Sequence, residues 1–216
     1  NTLVPISIER SLAMMVGIVG IFKAGGAYVP IDTEYPEERV IYMMQDTAAS
    51  IAISSKKNRL KLQAAGNIDI IELDGHWPLI SNEPVENLLL PADPFHLAYV
   101  LYTSGSTGKP KGVKMECGSL VNLINWQQRQ FENKYNRRVL QFASLNFDVS
   151  FQEIFSTICF GSTVYLIHAE HRRDMPELLK AVVKYRITHL FFPYIVLKNL
   201  VEYILYLHPG SFPVEE

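Results

Sequence analysis

Apolar and polar positions along the chain follow two patterns, short apolar runs and longer segments with helical spacing. The short runs predict β-strands at 3–8, 27–31, 51–54, 69–73, 97–102, 139–142, 163–167 and 189–192. The longer segments predict helices at 11–23, 36–46, 119–131, 150–159, 175–185 and 196–207. Strands that alternate with helices, several of them uniformly apolar, are typical of a parallel sheet covered on both faces. The pattern therefore predicts an α/β fold with mostly parallel sheets flanked by helices.

Single residues near the ends of these segments refine the prediction. Pro5 places the first strand at a sheet edge or delays its start, because proline has no N–H group for a ladder. Ser119 is a good cap for the helix that follows it. Ser150 and Glu153 form an S-x-x-E pattern, which predicts a capping box at the start of another helix.

One stretch interrupts the alternation. Residues 74–95 are rich in proline and asparagine and show little periodicity, which is typical of a loop or linker. We expect a subdomain boundary there, with a first α/β portion at 1–95 and a second at 96–216.

A loop rich in glycine, hydroxyl and lysine residues follows the apolar run 97–102. Residues 103–112 read Thr-Ser-Gly-Ser-Thr-Gly-Lys-Pro-Lys-Gly. Uncovered backbone N–H groups, hydroxyls and ammonium groups together form sites for phosphate oxyanions. The loop is not a Walker P-loop, because Pro110 stands where that motif has a hydroxyl residue and disfavours a helix there. A polar surface loop is the alternative.

Composition narrows the possible partners. The chain has 216 residues, of which 48% are hydrophobic and 19% charged, which suits a globular protein with a sizeable core. A formal net charge of −2 gives no basic field for nucleic acid. The apolar run 12–22 is too short to span a membrane. The two cysteines give no disulfide framework and fit a reducing cytoplasm. Because the chain begins with Asn1 directly on an apolar segment, we expect it to be a piece of a longer protein.

Three segments together resemble the adenylation domains of nonribosomal peptide synthetases, within the adenylate-forming enzyme superfamily. They read Phe-Lys-Ala-Gly-Gly-Ala-Tyr-Val-Pro-Ile-Asp at 22–32, the loop at 103–112, and Phe-Asp-Val-Ser-Phe-Gln-Glu-Ile-Phe at 147–155. The loop alone is shared by the superfamily, which includes acyl-CoA synthetases and luciferases, whereas the other two segments resemble the peptide-synthetase branch. The resemblance implies an ATP-dependent ligase that converts an amino acid to its adenylate. It also implies transfer of the aminoacyl group to the pantetheine thiol of a carrier protein domain.

The resemblance also implies site residues. ATP phosphate contacts fall on Thr103, Ser104, Gly105, Ser106, Thr107, Gly108 and Lys109. Thr107 would help to place Mg²⁺. Asp148 matches the family's carboxylate that pairs with the substrate ammonium, a charge that is costly to bury unpaired. The local alternative is an ordinary residue near a helix N-terminus. Val149, Gln152 and Phe191 would line the amino-acid pocket, and this set resembles part of the pocket of proline-activating domains.

Other parts of the family pattern are not found in this sequence. In the family, an adenine-stacking segment with a magnesium carboxylate, a ribose-binding Asp and a C-terminal domain with a catalytic lysine follow later. The sequence stops at Glu216 before them, so we expect the chain alone to be inactive and to need the remainder of the adenylation domain. Two alternatives stay open: a ligase of the same superfamily for fatty or aryl acids, and a non-catalytic nucleotide-binding or structural fragment. Neither nucleic acid nor a membrane is an expected partner.

Overall fold

The structure is a computed structural model that describes residues 2–91, 93–104, 109–131 and 136–207. Its strands are β1 (Leu3–Ser7), β2 (Ala27–Pro30), β3 (Ile51–Ser54), β4 (Asp69–Glu72), β5 (Leu97–Thr103), β6 (Lys111–Glu116), β7 (Arg138–Gln141) and β8 (Thr163–Leu166). Its α-helices are α1 (Leu12–Lys23), α2 (Glu37–Asp46), α3 (Arg59–Gln63), α4 (Trp77–Ile80), α5 (Cys117–Gln130), α6 (Val149–Ile158), α7 (Met175–Lys184) and α8 (Tyr194–Leu207). The predicted α/β class is confirmed.

The chain divides into two compact units, Asn1–Trp126 and Gln127–Glu216. The sequence predicts a boundary after residue 95, whereas these units part within α5. The predicted linker instead connects β4 to β5, and both strands belong to one hydrogen-bonded sheet of the first unit. Strands on both sides of residues 74–95 pair in this one sheet, so the first unit extends past the predicted boundary. Local composition does not encode such pairing.

The first unit is built on a six-stranded sheet with the order β4-β3-β1-β2-β5-β6. Strands β1 to β5 pair in parallel, and β6 pairs with β5 as an antiparallel hairpin. The sequence prediction missed β6, because its residues Lys-Gly-Val-Lys-Met-Glu form no apolar run and most are exposed. The loop between β5 and β6 lies at the carboxyl end of a parallel strand, where ligands bind in α/β sheets.

Helices cover both faces of this sheet. Ala52 of β3 belongs to a buried cluster with Met43 of α2. The next residue, Ile53, lies on the opposite face, and its side chain and that of Ile6 approach Gly17 of α1. The uniformly apolar strands thus bury side chains on both faces, as expected for a parallel sheet.

Strand β1 lies inside the sheet between β3 and β2, so the edge position predicted from its proline is wrong. Pairing with β2 includes Pro5, but pairing with β3 begins only at Ile6. The missing N–H group therefore costs no ladder bond to β3, because β3 has no residue paired opposite the proline.

The helix that follows β1 agrees with the prediction. The hydroxyl of Ser11 accepts a hydrogen bond from the Met14 N–H group at 3.2 Å and caps α1. Beyond the helix end, Gly25 has a φ of +75°, a left-handed conformation that favours glycine. Within the described ranges, no helix combines the length and apolar character needed to cross a membrane.

The second unit holds a parallel pair, β7 and β8, with helices α6, α7 and α8. Its buried cluster includes Leu140, Phe142, Ile167 and Leu178. The predicted strand at 189–192 is wrong, because only His189 forms an isolated bridge, to Val139 of β7.

Candidate active site

The glycine-rich loop closes the hairpin between β5 and β6. Thr103 pairs with Lys111 across the hairpin, so the loop runs between these two residues. Thr103, Ser104 and Lys109 are exposed. The predicted phosphate contacts Gly105, Ser106, Thr107 and Gly108, including the magnesium contact assigned to Thr107, lie outside the described residues. The hydroxyl and ammonium groups that are described suit a polyphosphate in the chemistry of their donors.

The strand that follows the loop distinguishes it from a Walker P-loop. A Walker loop continues into a helix, whose N-terminus faces the phosphates. Here Pro110 is followed by β6, which runs antiparallel to β5. The prediction that no helix starts at Pro110 because proline disfavours it agrees with this strand.

A hydrogen bond from a buried tyrosine fixes the incoming arm of the hairpin. Tyr102 is 6% exposed and lies one residue before the end of β5. Its hydroxyl donates to Asp46 Oδ2 of α2 at 2.5 Å. Burial, and then the hydrogen bond to Asp46, raises the pKa of Tyr102, so the phenol stays protonated and remains a donor.

The outgoing arm is held by the same helix. The hydroxyl of Tyr42 donates to the Pro110 carbonyl oxygen at 3.1 Å. The Lys109 ammonium lies 6.0 Å from the centroid of the Tyr42 ring, at the outer limit of a cation–π contact. Sequence analysis missed both tyrosines, because the contacts join segments that are far apart along the chain.

Asp148 stands at the N-terminus of α6, in the second unit. It is exposed, and its Oδ1 accepts a hydrogen bond from the Val149 N–H group at 2.8 Å. Helix N-termini favour a carboxylate through the helix dipole. One oxygen is engaged in this contact, and the carboxylate remains accessible to a cation from solvent. The helix-cap alternative thus describes the geometry of Asp148 and leaves room for ammonium binding.

The predicted capping box of Ser150 and Glu153 is wrong. Helix α6 begins at Val149, so Ser150 lies inside the first turn and its hydroxyl donates to the Phe147 carbonyl at 2.7 Å. The Glu153 carboxylate accepts a hydrogen bond from the Phe142 N–H group, just after β7. Ser119 is likewise inside its helix, since α5 begins at Cys117.

The Glu153 carboxylate links α6 to the chain that leaves β7. It is 0% exposed. It accepts hydrogen bonds from Gln141 Nε2 at 2.9 Å, from the Phe142 N–H group at 3.1 Å, and from the Ala143 N–H group at 3.0 and 3.1 Å. Burying a carboxylate is costly unless hydrogen-bond donors satisfy it. Through these bonds Glu153 fixes the first turns of α6, the element that carries Asp148.

The other predicted pocket residues belong to the second unit. Val149 and Gln152 are half-buried and three positions apart in α6, a spacing that places them on one helix face next to Asp148. Phe191 is half-buried on a separate segment, two residues after the His189 bridge. Its neighbour Phe192 packs on Phe142 at 4.6 Å between ring centroids. The structure thus groups three of the four residues on one element and places the fourth on another.

Comparison with known proteins identifies the family. The chain matches the family described as AMP-binding enzyme over residues 1–208 and therefore belongs to it. It is 41% identical over 198 residues to Gramicidin S synthase 2 of Brevibacillus brevis, covering 92% of this chain and 4% of that protein. It is 38% identical over 201 residues to Tyrocidine synthase 2 of Brevibacillus parabrevis, covering 92% and 5%. The resemblance to peptide-synthetase adenylation domains is confirmed.

Solved structures agree. The crystal structure of the nonribosomal peptide synthetase FmoA3 matches with a TM-score of 0.85 and 27% identity, over 94% of this chain and 21% of that chain. Its AMPPNP-bound form matches equally, and its α-methyl-L-serine-AMP-bound form matches with a TM-score of 0.83 and 26% identity. The chain therefore spans about a fifth of the length of these neighbours.

Proposed function

We propose that the chain is part of an amino-acid adenylation domain. In this reaction the substrate carboxylate attacks the α-phosphate of ATP, pyrophosphate leaves, and an aminoacyl adenylate forms. The pantetheine thiol of a carrier domain then attacks the aminoacyl carbonyl, so that a thioester forms and AMP is released. The observation that carries the proposal is the exposed Asp148 carboxylate at the start of α6, in a chain that is 41% identical to a peptide synthetase over 198 residues. A substrate without an amine has no use for this carboxylate.

The loop between β5 and β6 would bind the ATP phosphates. Charge on the phosphate oxygens grows as pyrophosphate departs, and fixed donors stabilise it. The exposed hydroxyls of Thr103 and Ser104 and the ammonium of Lys109 supply such donors. Gly105, Ser106, Thr107 and Gly108 complete the proposed contact set. Thr107 is the proposed contact to Mg²⁺, which when bound would neutralise part of the phosphate charge.

Asp148 would bind the substrate ammonium as a charge-assisted pair. Val149, Gln152 and Phe191 would form pocket walls around the substrate side chain. The similarity of this set to proline-activating domains is the sole support for a proline-like substrate, and a panel of amino acids tests it.

Replacing Asp148 with asparagine in the intact protein tests the ammonium contact. Asparagine caps helices as well as aspartate does, so the substitution removes charge and keeps the cap. A hydrogen bond to a charged group contributes about 1.5–3 kcal/mol, so we expect amino-acid-dependent ATP–pyrophosphate exchange to fall at least about tenfold. A matched control is Asp174→Asn, because Asp174 is also exposed and caps α7 by accepting from the Glu177 N–H group at 3.1 Å.

The alternatives give different results in the same assay. Exchange that depends on fatty or aryl acids and is unchanged in D148N would indicate the acyl ligase. No exchange with any acid would indicate a non-catalytic protein. We also propose that the isolated 216-residue chain does not turn over, since it covers 4% of the first synthetase compared. Exchange by the isolated chain would contradict this.

A further inference from the structure

Helix α2 contacts both arms of the hairpin that carries the phosphate loop. Tyr42 and Asp46 are four positions apart in α2 and therefore lie on the same helix face. Asp46 accepts from Tyr102 at the end of β5, and Tyr42 donates to Pro110 just before β6. The two hydrogen bonds connect the helix to Tyr102, just before the loop, and to Pro110, near the end of the loop.

The geometry points to Tyr42 as a positioning residue of the phosphate loop. Its hydroxyl fixes the Pro110 carbonyl, and its ring lies beside the Lys109 ammonium in a weak contact of 6.0 Å. This inference rests on the proposed function, since it assigns Lys109 to the ATP phosphates. Tyr42 acts through these two residues and not on the nucleotide.

The carbonyl oxygen of Pro110 is the only backbone group through which a hydrogen bond can hold this residue. Proline has no N–H group, so its backbone can be held only through the carbonyl oxygen. Its ring restricts φ, so a contact that holds the carbonyl also restricts the backbone conformation next to Lys109. The Tyr42 hydroxyl occupies this acceptor at 3.1 Å, in a partly buried contact.

The contact of Lys109 with the ring is loose enough to release the lysine. The ammonium is exposed and lies 6.0 Å from the ring centroid. Cation–π attraction is weak at this distance and at an exposed site. The contact is therefore weak enough for an incoming phosphate to bind the ammonium.

The second contact of α2 is the hydrogen bond between Asp46 and Tyr102 of β5. The Tyr102 hydroxyl reaches Asp46 Oδ2 at 2.5 Å from a ring that is 6% exposed. With the incoming arm anchored in this way, loss of the Tyr42 hydroxyl would loosen the outgoing arm alone. The expected defect is thus in nucleotide affinity, with the amino-acid pocket unaffected.

The test is the Tyr42→Phe substitution in the intact protein, which removes the hydroxyl and keeps the ring. A net hydrogen bond contributes about 0.5–1.5 kcal/mol, so we expect the KM for ATP to rise about two- to tenfold in ATP–pyrophosphate exchange. We expect the KM for the amino acid to stay within about twofold. Tyr42→Leu, which also removes the ring, is expected to raise the KM for ATP further. Direct titration with AMPPNP gives a readout of affinity without turnover.

The matched control is Tyr35→Phe. Tyr35 lies just before α2, and the Arg39 guanidinium stacks on its ring at 4.1 Å, so the substitution removes a tyrosine hydroxyl near the opposite end of the helix. We expect its KM for ATP to equal that of the wild type. Urea unfolding of each variant separates lost affinity from lost stability.

The outcomes separate this inference from the proposed function. If the wild type shows no amino-acid-dependent exchange, the proposed function fails. If the wild type is active and Tyr42→Phe has wild-type affinity for ATP and AMPPNP, the positioning role fails. Equal increases in the KM values for ATP and the amino acid would show a general structural role and also overturn the inference.

Discussion

Replacing Glu153 with glutamine is expected to destabilise the second unit, although the two side chains have nearly the same shape. The carboxylate accepts hydrogen bonds from N–H donors of Gln141, Phe142 and Ala143. A carboxylate only accepts, whereas an amide presents an NH₂ group on one side. One side of the new amide would therefore face donors wherever it rotates.

The structure sets the size of this effect. If the amide oxygen keeps the Phe142 and Ala143 N–H groups, its NH₂ group faces Gln141 Nε2 and that bond is lost. Hydrogen bonds to charged groups contribute about 1.5–3 kcal/mol, and the remaining bonds lose their charge. We expect the free energy of unfolding to fall by about 2–4 kcal/mol. Glu153→Ala should cost more, because it leaves all three donors buried without this acceptor.

Urea unfolding followed by circular dichroism measures the change, and hydrogen exchange at the Phe142 and Ala143 amides locates it. The matched control is Glu177→Gln, because Glu177 lies on the surface of α7 and makes an exposed ion pair with Lys180 at 3.2 Å. Surface pairs of this kind contribute about 0–1 kcal/mol. A Glu153→Gln protein as stable as the control, with unchanged amide protection, would refute the reasoning.

Three further perturbations test the packing and charges. Gly20→Ala should raise the free energy of unfolding by about 0.5–1 kcal/mol, since nothing lies within 4 Å of the new Cβ. Gly17→Ala should not raise it, since its Cβ would lie 2.8 Å from an isoleucine of β1. Thermal unfolding of the two variants compares these effects. Arg59→Met should cost about 1–3 kcal/mol in urea unfolding, because it leaves the nearly buried carboxylate of Glu72, now paired at 2.7 Å, without its cation, and no loss would contradict a net contribution from this pair. Burial and a neighbouring arginine lower the pKa of His189 in the folded chain. As the pH falls below about 6.5, the histidine of the unfolded chain is therefore protonated before that of the folded chain. Stability should therefore fall in that acidic range, and His189→Gln should flatten the profile.

Most helices and strands can be predicted from the sequence, because the interactions that start and end them involve neighbouring residues. Ser11 caps α1 through a bond to a residue three positions away, and a glycine with positive φ follows the helix. The glycine-rich loop is also visible locally, since its donors are adjacent in sequence. The order and spacing of three short segments then sufficed to recognise the family, which the match over residues 1–208 confirms.

The prediction failed where a residue's partner is remote. Pro5 indicates an edge strand, yet β1 lies inside the sheet. This position is possible because β3 pairs with β1 only after Pro5, from Ile6 onward. Glu153 reads as half of a capping box, yet its partners lie on the chain leaving β7. Strand β6 has no apolar pattern of its own and exists through its pairing with β5.

The sequence by itself determined the α/β class and the position of a glycine-rich loop directly after a strand, because periodicity and motif are properties of neighbouring residues. The proposed roles of that loop and of Asp148 come from the resemblance to the family. Tertiary structure decided the strand order and what holds the candidate groups in place. Tyr42 and Pro110 are 68 positions apart, and their hydrogen bond exists only once α2 packs beside the hairpin. Asp148 likewise owes its place to a carboxylate buried against another strand. Such contacts depend on which distant segments share a core, and no local pattern encodes that choice.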